Sequence, residues 1–265
     1  MKIHIIGGGN LGTSMARGLN AAQQSYQISV SRRNISHIQH LETLGIRLTA
    51  DNKQFLPEAD IVILAVKPKQ AEAVCAEVRS VLRKDCIFIS VVTGLSIKQL
   101  ENYLRIPDLC IIRAMPNTAI ALRESMTCLA SHTAHERQKQ VALTLFEQLG
   151  KAIFIEESLM DASTVLGACG IAFALRFIRA AMQGGIEIGF DSKTAALIAT
   201  QTVKGAAQLL LQDTQHPEIE IDKVTTPQGC TIVGLNEMEH RGFSSSLIKG
   251  IVTSYKKIGN MQKEK

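Results

Sequence analysis

The first twelve residues run a short apolar strand, Ile3 to Ile6, directly into Gly7-x-Gly9-x-x-Gly12, and few folds accept that junction. Gly7 permits a tight turn out of the strand, Gly9 removes a side chain where a pyrophosphate would lie, and Gly12 lets the next helix close on the sheet. Leu11, Met15, Ala16 and Leu19 follow at helical spacing. The turn therefore feeds a helix whose free N-terminal amides and dipole attract phosphate. Glycine turns alone arise for many backbone reasons, but a strand before and a helix after point to a dinucleotide. Gly7, Gly9, Asn10, Leu11 and Gly12 are the residues expected around its pyrophosphate.

The pattern downstream repeats the same alternation. Tyr26 to Ser31 reads as a second strand, and the continuous apolar runs Ile61 to Val66 and Ile87 to Val92 read as strands buried on both faces. Helical periodicity lies between them, over Ile35 to Leu44 and Gln70 to Leu82. Strands alternating with helices give a parallel sheet with right-handed crossovers, and Cys110 to Met115 and Ala152 to Ile155 read as later strands closing it. From Ser158 onward there is no strand pattern, only the apolar-periodic stretches Leu159 to Ile188, Lys193 to Gln212 and Ser244 to Met261. The expected architecture is α/β: a doubly wound, Rossmann-like dinucleotide domain over 1–156, then an all-helical domain over 157–265.

Composition narrows the class. The 29 Lys and Arg against 24 Asp and Glu are scattered without aromatic interleaving, so no nucleic-acid surface is expected. A strand beginning after Lys2 leaves no room for a targeting segment, and six cysteines without a Cys-x-x-Cys pair suggest reduced thiols, hence a cytoplasmic protein without a zinc site. His37-x-x-His40 and His132-x-x-His135 have no third ligand in pattern, so no metal is expected. The most apolar stretch, Ala162 to Met182, is broken by Arg176 and Arg179, which leaves too short an uncharged run to cross a bilayer, so it reads as a buried helix. About 105 residues would struggle to bury so apolar a helix alone, and a second copy of the chain, as a homodimer or an oligomer of dimers, is expected to cover part of it.

Three groups of residues could carry chemistry. Ser31, Arg32 and Arg33 stand where an NAD site would place an acidic residue on the ribose, and hydroxyl and guanidinium groups match a 2′-phosphate instead, so NADPH is expected over NADH. Ala65, Val66, Lys67 and Pro68, then Val92 to Gly94, then Met115 to Thr118, fall at the carboxyl edge of the sheet, with Asn117 and Thr118 toward the nicotinamide end. Val224-Thr-Thr-Pro-Gln-Gly-Cys-Thr231 could build a nest of backbone donors for a carboxylate at a helix start. A plain threonine helix cap would need only one of its hydroxyls.

Together these segments resemble the pyrroline-5-carboxylate reductases over nearly the whole chain. The resemblance rests on Ile5 to Gly12, Asp60 to Pro68, Arg113-Ala-Met-Pro-Asn-Thr118 and Val224 to Ile232, with Asp161, Thr164, Gly170 and Ala172 fitting the start of the family's long dimerisation helix and Gly234 to Glu239 its segment after the threonine loop. It implies NADPH-dependent reduction of 1-pyrroline-5-carboxylate, a small-molecule substrate, to L-proline, the last step of proline biosynthesis. It also implies that Thr231 bonds the ring nitrogen while Thr226, Gly229 and Cys230 hold the carboxylate. The chain departs from the family where Ser-Gly-Ser-Gly-Pro-Ala-Tyr is replaced by Gly167-Ala-Cys-Gly-Ile-Ala-Phe173, and where Gln228 stands in place of a second glycine. One alternative is another NADP-dependent imine reductase or a β-hydroxyacid reductase. The β-hydroxyacid group carries a catalytic lysine in the long helix, and no lysine occurs between Lys151 and Lys193. The other is a non-catalytic dinucleotide-binding regulator, against which Thr231 argues.

Overall fold

A computed structural model describes residues 1–22, 24–213 and 215–263; the last two residues of the range 157–265 lie outside the described residues. The chain divides into two compact units, Met1–Cys169 with Lys257–Lys265, and Gly170–Lys256.

The first unit is built on eight strands: β1 (Lys2–Ile6), β2 (Gln27–Ser31), β3 (Arg47–Thr49), β4 (Ile61–Leu64), β5 (Ile87–Ser90), β6 (Cys110–Met115), β7 (Ser125–Ala130) and β8 (Gly150–Phe154). They form one sheet in the order β3-β2-β1-β4-β5-β6-β7-β8, parallel throughout except that β7 runs antiparallel to β6. Helices α1 (Asn10–Asn20), α2 (Pro68–Val78), α3 (Ile97–Leu104) and α4 (Glu136–Glu147) provide the connections. Alternate strand residues feed opposite layers: Ile3, Ile5, Ile61 and Ile63 pack with Met15 and Phe146 on one face, and Ile6, Val62, Leu64 and Phe88 with Val74 and Leu100 on the other. Both faces are covered, which is why these strands read as unbroken apolar runs.

Two strands, β3 and β7, lack such a run. Over Ile35–Leu44 the chain forms a 3₁₀ helix, whose buried residues Ile38 and Leu41 are three apart, as that tighter pitch requires. The first unit continues past residue 157, through α5 (Met160–Ser163) and a π-helical turn, Thr164–Cys169. Met160 is buried there with Met115 and Ala130.

The second unit is helical: α6 (Gly170–Glu187), α7 (Ser192–Asp213), α8 (Pro217–Lys223), α9 (Cys230–His240) and most of α10 (Phe243–Lys263). Helices α6 and α7 approach closely at Gly185, where an added Cβ would lie 3.1 Å from the Ala195 side chain. The helix expected to be covered in part by a second copy is exposed within the single chain. None of the residues of α6 is buried within the chain, and Leu175, Ile188 and Leu197 are 58%, 78% and 71% exposed. The membrane argument from length is corrected, because Glu157–Glu187 is long and apolar enough, by length and composition, to cross a membrane despite its two arginines.

Candidate active site

The glycine turn lies at the point where the strand order reverses, between β1 and β4, the place where open α/β sheets bind ligands. Gly7 has φ +112°, and a Cβ on it would strike the Ala65 carbonyl, so the turn and the end of β4 are packed against each other. A Cβ on Gly12 would strike the Gly7 carbonyl oxygen, which fixes how closely α1 sits on the turn. Gly9 is different: it is exposed, and a Cβ there would meet nothing within 4 Å. Two glycines are demanded by the protein's own backbone, and the third leaves open space in front of the first amides of α1, where Asn10 and Leu11 stand. That space suits a pyrophosphate. Lys67, exposed, caps α2 on the same edge, with Pro68 as its first residue.

The corner beyond β2 differs in part from expectation. Ser31 is fully buried: its hydroxyl donates to Asn52 Oδ1 at 2.8 Å, and its carbonyl accepts from the Gly7 and Gly8 amides at 3.0 Å each. Its hydroxyl is thus closed to a ribose phosphate, and its role is to hold the turn. Arg32 Nη1 donates to the Gly8 carbonyl at 2.6 Å, so its guanidinium stands beside the glycine turn, and Arg33, next along the chain, is exposed. Asn52, whose Nδ2 donates to Glu77, is a neighbour that no local pattern announces.

At the end of β6 the Asn117 side chain turns inward. Its Oδ1 accepts from the Ala119 amide at 3.0 Å and its Nδ2 donates to the Gly167 carbonyl at 3.2 Å, while its own amide donates to Ser125 Oγ at 3.1 Å. Thr118, next along, is exposed. Two residues back from the turn, Arg113 is 6% exposed and donates to Glu157 Oε1 at 3.1 Å, an oxygen that also accepts the Ile97 amide at 2.8 Å at the start of α3. Arg113 Nη2 is buried with no hydrogen-bond partner among the described residues. His132 stands between two carboxylates, 3.4 Å from Glu101 and 3.7 Å from Glu157.

Under β1 a second buried polar group appears, His4, with Nδ1 2.8 Å from Ser29 Oγ. Desolvation first, then the Arg47 charge, lower its pKa from 6.5 to about 4, so it is neutral at ordinary pH. Burial likewise pushes the Cys75 and Cys86 thiols up to about 12 and Cys110 up to about 11, which keeps these sulfurs protonated and unreactive.

In the helical unit, Thr226-Pro227-Gln228-Gly229 is a turn closed by the Gly229 amide donating to the Thr226 carbonyl at 2.9 Å. Gly229 then caps α9, so Cys230 and Thr231 are its first two residues and their amides belong to the unsatisfied first turn. Cys230 and Thr226 are exposed and Thr231 is half-buried. A side chain on Gly229 would press on Thr226 Oγ1.

Two family models match the chain. Residues 2–94 match the NADP oxidoreductase family described as coenzyme F420-dependent, and residues 157–261 match pyrroline-5-carboxylate reductase dimerisation. Pyrroline-5-carboxylate reductase 1 of Dictyostelium discoideum is 46% identical over 99% of the chain, which spans half of that relative's length. Pyrroline-5-carboxylate reductase 2 of the same organism is 44% identical over 98% of this chain and 93% of its own. The chain belongs to the pyrroline-5-carboxylate reductase family. The solved structure of a pyrroline-5-carboxylate reductase from Coxiella burnetii superposes with a TM-score of 0.90 at 29% identity, covering 97% of each chain.

One departure noted above has a backbone consequence. Gln228 occupies φ +60°, the left-handed region, where glycine is free of steric cost. This chain keeps the turn with a residue that strains it. The other departure, at Gly167 to Phe173, spans the π-helical turn and the first residues of α6.

Proposed function

We propose that this chain reduces the C=N bond of 1-pyrroline-5-carboxylate to L-proline with NADPH, and that Thr231 is the side chain meeting the reacting nitrogen. The observations that carry the reading are, in one unit, an open Gly9 cradle at the sheet's switch point and, in the other, a threonine-bearing helix start, in a chain whose two parts match an NADP oxidoreductase model and a pyrroline-5-carboxylate reductase dimerisation model. The cofactor supplies the hydride. Gly7, Gly9, Asn10, Leu11 and Gly12 would hold its pyrophosphate; Arg32 and Arg33 would meet its 2′-phosphate, with Ser31 holding the glycine turn; Ala65 to Pro68 would line the adjoining strand end, and Thr118 would lie toward the nicotinamide.

The substrate's chemistry makes few demands on the protein. A cyclic imine reaches the enzyme already protonated, so its carbon accepts hydride without a strong general acid, and the protein must chiefly place the reactants and exclude water. The C=N π electrons move onto nitrogen as the new C–H bond forms, turning iminium into amine. The Thr231 hydroxyl bonds that nitrogen as its charge is relieved. The first-turn amides of α9, with Thr226, Gly229 and Cys230, hold the carboxylate, which a helix N-terminus favours by about 0.3–1 kcal/mol when exposed and more when shielded.

Residues 157–265 act as the dimerisation and substrate-binding region and 1–156 as the NADP-binding domain. The chain forms a homo-oligomer, supported by the dimerisation match and the exposed apolar face of α6, and the free cysteines fit a cytoplasmic location. The test is NADPH oxidation followed with 1-pyrroline-5-carboxylate and with its six-membered homologue. Turnover with the five-membered ring is expected; turnover with the six-membered ring alone would reassign the substrate, and none with either would favour the dinucleotide-binding regulator.

A further inference from the structure

We propose that Asn117 is a positioning residue: its carboxamide fastens the π-helical turn Thr164–Cys169 to the carboxyl end of β6, and so sets the wall of the site for imine reduction without itself touching the cofactor. The inference rests on the reading of this sheet edge as the nicotinamide end.

Every polar group of Asn117 is engaged. Its backbone amide is given to Ser125 Oγ, its Oδ1 takes the Ala119 amide and so starts the 3₁₀ turn Thr118–Leu122, and its Nδ2 reaches the Gly167 carbonyl fifty residues along the chain. The residue is 7% exposed. A side chain so buried and so bonded has one Nδ2 hydrogen and little surface left for a ligand, whereas its neighbour Thr118 is exposed.

The partner matters as much as the donor. A π turn replaces i+4 backbone bonds with i+5 bonds, and such turns are frequent at functional sites. Gly167 lies inside this turn, and the donor comes from the sheet edge. The contact is to the backbone, so it is indifferent to which side chain stands at 167: a Cβ there would meet nothing within 4 Å. The same turn is anchored from its other end by Thr164, buried, with Oγ1 donating to the Met160 carbonyl at 2.9 Å.

Asn117→Asp isolates the link, because it keeps an oxygen for the Ala119 amide and replaces the Nδ2 donor with an oxygen facing the Gly167 carbonyl. Asn117→Ser provides a second test, since serine caps a helix start as well as asparagine but is too short to reach Gly167. In both variants, kcat with the imine should fall about tenfold or more while the Kd for NADPH stays within about threefold, and hydrogen exchange over 164–172 in the ligand-free protein should quicken about tenfold. Weakened NADPH binding with unchanged exchange would make Asn117 a cofactor contact and overturn the proposal. Faster exchange with unchanged kcat would reduce the link to a structural one and overturn it equally. The exchange readout needs no turnover, so a failure of the substrate assignment leaves it standing as a separate result.

Discussion

At the scale of single residues, the proposed chemistry falls most heavily on Thr231. The residue is the second of α9 and half-buried, beside the helix's free first-turn amides, and its proposed role is to bond the imine nitrogen. Losing a preorganised donor aimed at developing charge costs about 2.7–4 kcal/mol; here charge on nitrogen is relieved, so the cost is smaller. Thr231→Ala should lower turnover at least tenfold, about 1.4 kcal/mol, with NADPH affinity nearly unchanged, and Thr231→Ser should recover most of the rate. A wild-type rate in the alanine variant would make this threonine a helix cap and nothing more. The second residue-scale prediction concerns the guanidinium pair. Arg32→Glu with Arg33→Glu should weaken NADPH far more than NADH, each charge-assisted contact being worth about 1.5–3 kcal/mol. Because Arg32 also holds the Gly8 carbonyl, NADH is the internal control, and an equal loss for both cofactors would show that only the turn was disturbed. The position of the two arginines, directly after β2, was legible in the sequence because the strand pattern ends before them. Ser31 was legible in position but not in orientation: alternation along β2 carries its hydroxyl inward to Asn52, which no local pattern reveals.

At the scale of elements, legibility followed burial. Strands β4 and β5 could be read because helices cover both their faces; β7 could not, because its buried Ser125 and Thr127 look like loop residues until their partners, Asn117 and each other, are seen. The three-residue β3, at the sheet's edge, is too short to show a period. Contacts between distant elements were invisible for the same reason: Arg113 and Glu157 are 44 residues apart and meet only when β6 and the start of the helical segment are folded. His4, on β1 with its ring bonded to Ser29 of β2, yields a prediction at this scale. Its pKa is about 4 folded and 6.5 in the ordinary chain. Above pH 6.5 it is neutral in both states and does not affect stability. Between 6.5 and 4 the unfolded chain binds a proton that the folded one refuses, so stability falls as pH falls, by about 1.4 kcal/mol per unit and about 3 kcal/mol in all. Urea unfolding at pH 7.5 and 5 should show this loss in the wild type and a smaller one in His4→Asn, which cannot titrate. Identical losses would mean that carboxylates alone set the acid limit.

At the scale of the whole molecule, the face of α6 is the fact to account for. The sequence marked this helix as too apolar for its domain, and the chain indeed leaves Leu175, Phe177 and Ile186 substantially exposed. Patches of this kind on soluble proteins mark association sites, and the dimerisation match names the association. The helical unit should therefore fold only in the oligomer: sedimentation should show no stable folded monomer, and the unfolding midpoint should rise with protein concentration. A monomer with a concentration-independent midpoint would contradict it. The oligomer, the glycine cradle and the threonine helix all serve one claim, that the chain delivers hydride from NADPH to a cyclic imine. The direct measurement uses NADPH deuterated on both faces at the nicotinamide C4 with 1-pyrroline-5-carboxylate, and locates the label by mass spectrometry and NMR. The account predicts one deuterium per proline, at C5, and one proline per NADPH consumed; proline without label, or NADPH oxidised without proline, would contradict it.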